Sequence, residues 1–166
     1  MASKTLQDLF IHSLSDVYSA EKQLTRALPK MARASQNANL RAAFETHLEE
    51  TCGQIERIDQ VVEDAGIKLK RIKCVAMEGL VEEGQEQIED FEEGPIRDAA
   101  LIAAAQKVEH YEIATYGTLA TLADQLGFKD AGKLLRETLA EEKSTDDKLS
   151  QLAKLEVSQE AQSAGR

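Results

Sequence analysis

The chain has 166 residues, with 20 Lys and Arg against 30 Asp and Glu, a formal net charge of −10, two prolines and no tryptophan. That length supplies one hydrophobic core and is too short for two ordinary domains. Nucleic-acid recognition needs clustered Lys and Arg, and the only basic cluster is at 68–73, so the charge balance argues against a nucleic-acid partner.

No apolar run approaches the ~18 residues of a membrane span. The opening segment MASKTLQDLF lacks the apolar stretch of a signal peptide, so a cytoplasmic location is expected. In that setting Cys52 and Cys74 read as reduced thiols.

In chain order, the first helix opens at Thr5, a suitable N-cap with Asp8 three residues on. Phe10, Leu14, Val17, Leu24, Leu28 and Met31 recur at steps of three and four and form its apolar stripe. Pro29 is expected to kink or end it. Residues 35–39 are turn-like, with Asn37 or Asn39 as the next cap. The second helix covers about 40–65 on Leu40, Phe44, His47, Ile58, Val61, Val62 and Ala65, and Gly66 stops it. The segment 74–91 carries Met77, Leu80, Val81 and Ile88, interrupted by Gly79 and Gly84, and reads as one or two shorter crossover helices. Gly94-Pro95 opens a third long helix, 95–126, on Leu101, Ala105, Val108, Leu119, Leu122 and Leu126, ended by Gly127. The fourth starts near Asp130 and uses Ala131, Leu135, Leu149 and Leu152. Residues 1–157 therefore read as one all-α domain, and 158–166 as a polar, frayed tail. Two tight turns around one long crossover predict a ferritin-like four-helix bundle.

Four stripes carry the wrong chemistry at their centres. Glu21 sits among aliphatics in the first helix, Glu112 in the third, and Glu142 between Thr138 and Thr145 in the fourth. The second helix centres on His47 and Thr51, with Glu50 at the edge of the arc and Gln54 beside it. Glu109 lies one turn before Glu112, and Asp146 one turn after Glu142. A weak internal repeat relates V-Y-S-A-E at 17–21 to V-E-H-Y-E at 108–112, and E-T-H-L-E-E at 45–50 to E-T-L-A-E-E at 137–142. It pairs Glu21 with Glu112 and Glu50 with Glu142. Carboxylates cannot share a dry core as anions, and divalent cations resolve the conflict. The count suits two metal ions, and oxygen-rich ligation with one imidazole suits iron or manganese.

The usual di-metal motif, Glu-x-x-His, is absent, and the second helix offers the reverse, His47-x-x-Glu50. A phase slip of one residue would turn Glu50 or Glu109 into an ordinary solvated glutamate. Independently of phase, His47 can be read as a core histidine hydrogen-bonded to Glu50 or to a tyrosine across the bundle. Tyr18 and Tyr116 flank Glu21 and Glu112, and their hydroxyls need acceptors. His110 lies opposite the stripe of its helix, His12 has no partner in view, and Cys52 falls outward with Glu45, Glu49 and Glu56. Cys74 has apolar neighbours and reads as packing.

The segments FIHSLSDVYSAEKQLTRALPKMA, HLEETCGQIERIDQVVE, CVAMEGLVEEG, AALIAAAQKVEHYEIATYGTLATLADQLG and LLRETLAEEKSTDDKL resemble the YciF/YciE-like family of bacterial stress proteins, over about residues 5–155. The resemblance implies a ferritin-like bundle similar in fold to rubrerythrin-type di-iron proteins, a role in general or osmotic stress, and a homodimer. It also implies a metal site carried here by Glu21, His47, Glu50, Glu109, Glu112 and Glu142. Some relatives have histidine where this chain has Cys52, a position the helical phase puts outside. Three functions follow as expectations. One is a stress protein whose di-metal centre binds iron or meets a small oxidant such as oxygen or peroxide. The second is a metal-free dimeric binding or structural module. The third is a true iron store. For the dimer, the small-residue face of the third helix (Ala103, His110, Ala114, Gly117) or the crossover is the expected contact.

Overall fold

The computed structural model describes residues 4–165. Helix α1 spans Leu6–Ala34 and opens on a capping box, in which the Asp8 amide donates to Thr5 Oγ1 at 3.1 Å and the Thr5 amide donates to Asp8 Oδ2 at 2.8 Å. Helix α2 spans Ala38–Ala65. Asn37 takes the cap, its side chain accepting from the amides of Asn39 and Leu40, and Gly66 closes the helix at φ +61°. The crossover contains a single helix, α3, Val75–Asp90, capped by the Cys74 sulfur, which accepts from the Met77 amide. Helix α4, Pro95–Leu126, has its proline in the first turn and ends on Gly127 at φ +76°. Helix α5 covers Lys129–Leu152.

Pro29 does not end α1, which continues to Ala34. Leu28, Met31 and Ala32 are buried around it, and their packing outweighs one missing backbone hydrogen bond. The polar C-terminal segment is helical through Ala164. A π-helical turn at Ala153–Val157 leads into α6, Ser158–Ala164. Val157 is fully buried, and Glu156 accepts from Asn39 Nδ2 at 3.0 Å, which ties the turn to the start of α2.

The four long helices form a ring in which α1 packs on α2, α2 on α5, α5 on α4 and α4 on α1, while α3 lies across α1 and α4. This is the four-helix bundle with a long helical crossover expected of ferritin-like connectivity. The corner between α1 and α2 is fastened to α4. Asp98, fully buried, accepts the Gln36 amide at 2.9 Å and the Asn37 amide at 2.7 Å. Among the described residues no helix is long and apolar enough to cross a membrane.

Candidate metal centre

The stripes point inward at one level of the ring. His47 from α2, Glu109 and Glu112 from α4 and Glu142 from α5 each offer a ligand atom, and these atoms lie within 4.8 Å of one another. None is more than 2% exposed. Their phase is held by the aliphatic neighbours on each stripe, since Leu101, Ala105, Val108 and Leu119 of α4 are all buried on the same face. The Thr51 hydroxyl donates back to the His47 carbonyl at 2.8 Å, a local bond within α2.

Glu21 from α1 is fully buried and joins this group through Glu112. Its Oε1 accepts from the Tyr116 hydroxyl, itself fully buried. Most of the remaining polar atoms have no hydrogen-bond partner. These are Glu21 Oε2, both ring nitrogens of His47, Glu109 Oε2, and both carboxylate oxygens of Glu112 and Glu142. His47 Nε2 stands 3.4 Å from Glu109 Oε1 without forming a hydrogen bond.

The electrostatics follow from that crowding. Burial, reinforced by Glu142, pushes Glu21 up to about 8 despite the Tyr116 hydrogen bond. Burial also raises Glu109 and Glu112 well above the carboxylate range, with Glu142 adding to the first and Glu21 to the second. Tyr116 rises for the same reason. His47 moves down, because burial penalises the imidazolium more than the nearby carboxylates favour it.

Around the centre lies a polar belt that the helical pattern only half reveals. Gln54 donates from Nε2 to Glu141 Oε2 at 3.0 Å, while its own Oε1 is buried without a partner. Arg57 grips Glu141 with two hydrogen bonds of 2.8 and 3.0 Å and reaches Thr138 Oγ1 at 2.7 Å. Burial alone would push the Glu141 carboxyl up, but Arg57 and Gln54 bring it below its ordinary value. Arg57 lies one turn beyond Gln54, and Glu141 precedes Glu142. Both positions fall outside the apolar stripes, so periodicity carried no signal for them.

The other expected site residues lie further out. Glu50 is half-buried at the seam of α2 and α5, where its Oε2 accepts from the Thr145 hydroxyl at 3.2 Å. Tyr18 is half-buried with the Lys22 ammonium 5.3 Å from its ring centre, and no hydrogen bond joins it to the carboxylates. Asp146 accepts from Gln106 at 3.2 Å and lies 3.2 Å from the exposed His110. Cys52 is exposed and Cys74 buried, both free. Cys74 instead meets the Tyr111 hydroxyl at 3.1 Å, and that hydroxyl donates to Asp16 at 2.9 Å.

The donor set is thus four carboxylates and one imidazole, dry and largely without partners. Such a set fits a hard or borderline divalent cation such as iron or manganese.

Known proteins share this fold. The chain is 67% identical to Protein YciF of Escherichia coli K12 over 163 residues, which is 98% of each sequence. The crystal structure of that E. coli stress protein matches with a TM-score of 0.89 at 70% identity, over 91% of this chain and 96% of the other. YcfI of Rhodopseudomonas palustris matches with a TM-score of 0.85 at 45% identity, over 89% of this chain and 94% of its own. A protein of Xanthomonas campestris, at 18% identity, shares the fold with a TM-score of 0.74 over 97% of this chain and 99% of its own. Residues 5–162 match the family described as a domain of unknown function, DUF892, and the chain belongs to that family, alongside the E. coli stress protein YciF.

Proposed function

We propose that this chain is a cytoplasmic stress-response protein that binds divalent metal, iron or manganese, among Glu21, His47, Glu109, Glu112 and Glu142. The observation that carries the reading is the set of buried, partnerless oxygens and ring nitrogens on these residues. Groups of this kind are costly in an apolar core, and bound cations would partner the carboxylate oxygens together with one ring nitrogen of His47. The stress-response part rests on the E. coli relative, whose structure is that of a stress protein.

A bound iron or manganese pair would supply one-electron chemistry toward oxygen or peroxide. The chain's own residues prepare for it in three ways. Tyr116 orients Glu21 through its hydroxyl. Arg57 neutralises Glu141 and so keeps a further negative charge from adding to the centre. Leu24, Leu28, Val108 and Leu149 line the narrow space beside His47 and Glu109 with apolar surface.

Elemental analysis of protein purified without chelators tests the reading. Two iron or manganese ions per chain are expected, falling to one or none in Glu112→Gln and Glu142→Gln variants with unchanged helix content. A wild-type protein that stays metal-free on titration with Fe(II) and Mn(II) overturns it.

A second reading has its own support. The R. palustris relative is put forward as a structural protein, and raised carboxylate pKa values let Glu21, Glu109 and Glu112 stay neutral without metal. In that case the chain serves as a dimeric helical module.

A further inference from the structure

The carboxylate centre is enclosed, yet the seam between α2 and α5 brings the surface close to it. An open pocket of about 420 Å³ lies in that seam, lined among others by Ala43, Glu50, Thr145, Leu149 and Glu156. Next to it lies a narrow space of about 10 Å³, roughly that of one water, bordered by His47 and Glu109. Ala43, Thr145 and Leu149 line both spaces. These three side chains therefore stand between the open pocket and the space beside two members of the buried donor set, and two of them are small.

Glu50 stands on the outer side of this partition. It lies one helical turn beyond His47 on α2, and Thr145 lies one turn beyond Glu142 on α5. The Thr145–Glu50 hydrogen bond of 3.2 Å spans the seam between the two helices. We infer that this seam is the port by which a divalent cation reaches the centre, with Glu50 as the carboxylate that first takes the hydrated ion and Thr145 as the hinge that holds it. The inference rests on the metal-binding reading above.

The chemistry favours an intermediate of this kind. A divalent cation gives up its water reluctantly, and an apolar partition offers nothing in exchange. A half-exposed carboxylate replaces part of the hydration shell while the rest of the shell remains in solvent. The inward step then passes Ala43 and Thr145 to reach His47 and Glu109, which border the inner space and carry buried polar atoms without partners. Glu156, fastened over the mouth by Asn39, adds a second negative charge to the rim, partly offset by Lys148.

The test separates rate from capacity. Apo protein is mixed with Co(II) in a stopped-flow instrument, and the ligand-field absorption is followed in wild type, Glu50→Gln and Ala43→Leu. Uptake is expected to slow at least tenfold in both variants, with the same final stoichiometry and dissociation constant as wild type. Wild-type rates in both variants overturn the port. A loss of stoichiometry in Glu50→Gln also overturns it, by making Glu50 a ligand of the centre. If wild type takes up no Co(II), the metal-binding reading fails and the port fails with it.

Discussion

The Tyr116 hydroxyl donates to Glu21 across the middle of the bundle and joins α4 to α1 at the level of the carboxylates. The bond makes Glu21 Oε1 one of the few satisfied oxygens at the centre, since Oε2 of the same group has no partner. It also determines how the site responds when that acid is removed.

Replacing a buried acid by an aliphatic side chain often stabilises a metal-free core. Here Glu21→Leu would leave the Tyr116 hydroxyl buried without an acceptor, at a cost of about 1–3 kcal/mol. Urea denaturation of the apo protein should therefore show little gain for Glu21→Leu alone and a clear gain once Tyr116→Phe is added. Glu21→Gln keeps an acceptor for Tyr116 and should retain the fold while binding less metal. Equal stability for Glu21→Leu with and without Tyr116→Phe would show that the bond has no energetic weight.

The pH dependence has a definite sign. Glu21, Glu109 and Glu112 hold protons in the folded apo protein that the unfolded chain releases above about pH 4.3. Apo stability should fall as pH rises from there through about 8, the folded value of Glu21, by up to about 1.4 kcal/mol per pH unit for each such proton. His47, shifted down, works the other way below its ordinary value near 6.5, so the decline is clearest above that. Metal displaces these protons, and its stabilising effect should be larger at pH 8 than at pH 5.5. Melting curves at both values, with and without Mn(II), check this, and curves that Mn(II) leaves unmoved would contradict it.

Asp98 accepts two amides from the α1–α2 corner while wholly buried. Loss of both bonds in Asp98→Ala should cost about 3 kcal/mol, and Asp98→Asn should cost less because one acceptor remains. Chemical denaturation reads the difference. Identical midpoints for the two variants would show that Asp98 does not fasten the corner.

Assembly is open to a direct measurement. The face of α4 away from the core is small and exposed at Ala103 and Ala114, and Val75 at the start of α3 is 75% exposed. A homodimer through this face or the crossover is expected, sedimenting as twice the chain mass at micromolar concentration. A monomeric species under those conditions rules it out.

The chemistry of the centre was legible where a charged residue interrupted a long aliphatic stripe. Glu21, Glu112 and Glu142 were readable because leucines on both sides of each fixed its phase. His47 stood at the centre of its stripe and Glu109 one turn before Glu112, and both are buried within the group. Glu50 and Tyr18 sat at the edges of their arcs, where a small rotation moves a side chain from core to seam, and periodicity does not resolve that. Pro29 misled because propensity is local while the burial of Leu28 and Met31 is not. The Arg57–Glu141 pair lies across two helices more than eighty residues apart in sequence, and no local pattern encodes such a pairing.

The donor set is also divided by the chain's own topology. Glu21 and His47 belong to the hairpin before the crossover, and Glu109, Glu112 and Glu142 to the hairpin after it. A cation held by His47 and Glu109 would therefore act as a reversible cross-link that closes a loop containing all of α3, much as a disulfide does in a secreted domain. Unlike a disulfide, such a link forms only where the two hairpins are docked, so it stabilises the docked state by mass action. Either hairpin alone carries an incomplete set of ligands. Docking of the two halves, rather than formation of either, is the folding step that metal would drive, and amide hydrogen exchange in α2 and α5 should slow together when metal is added.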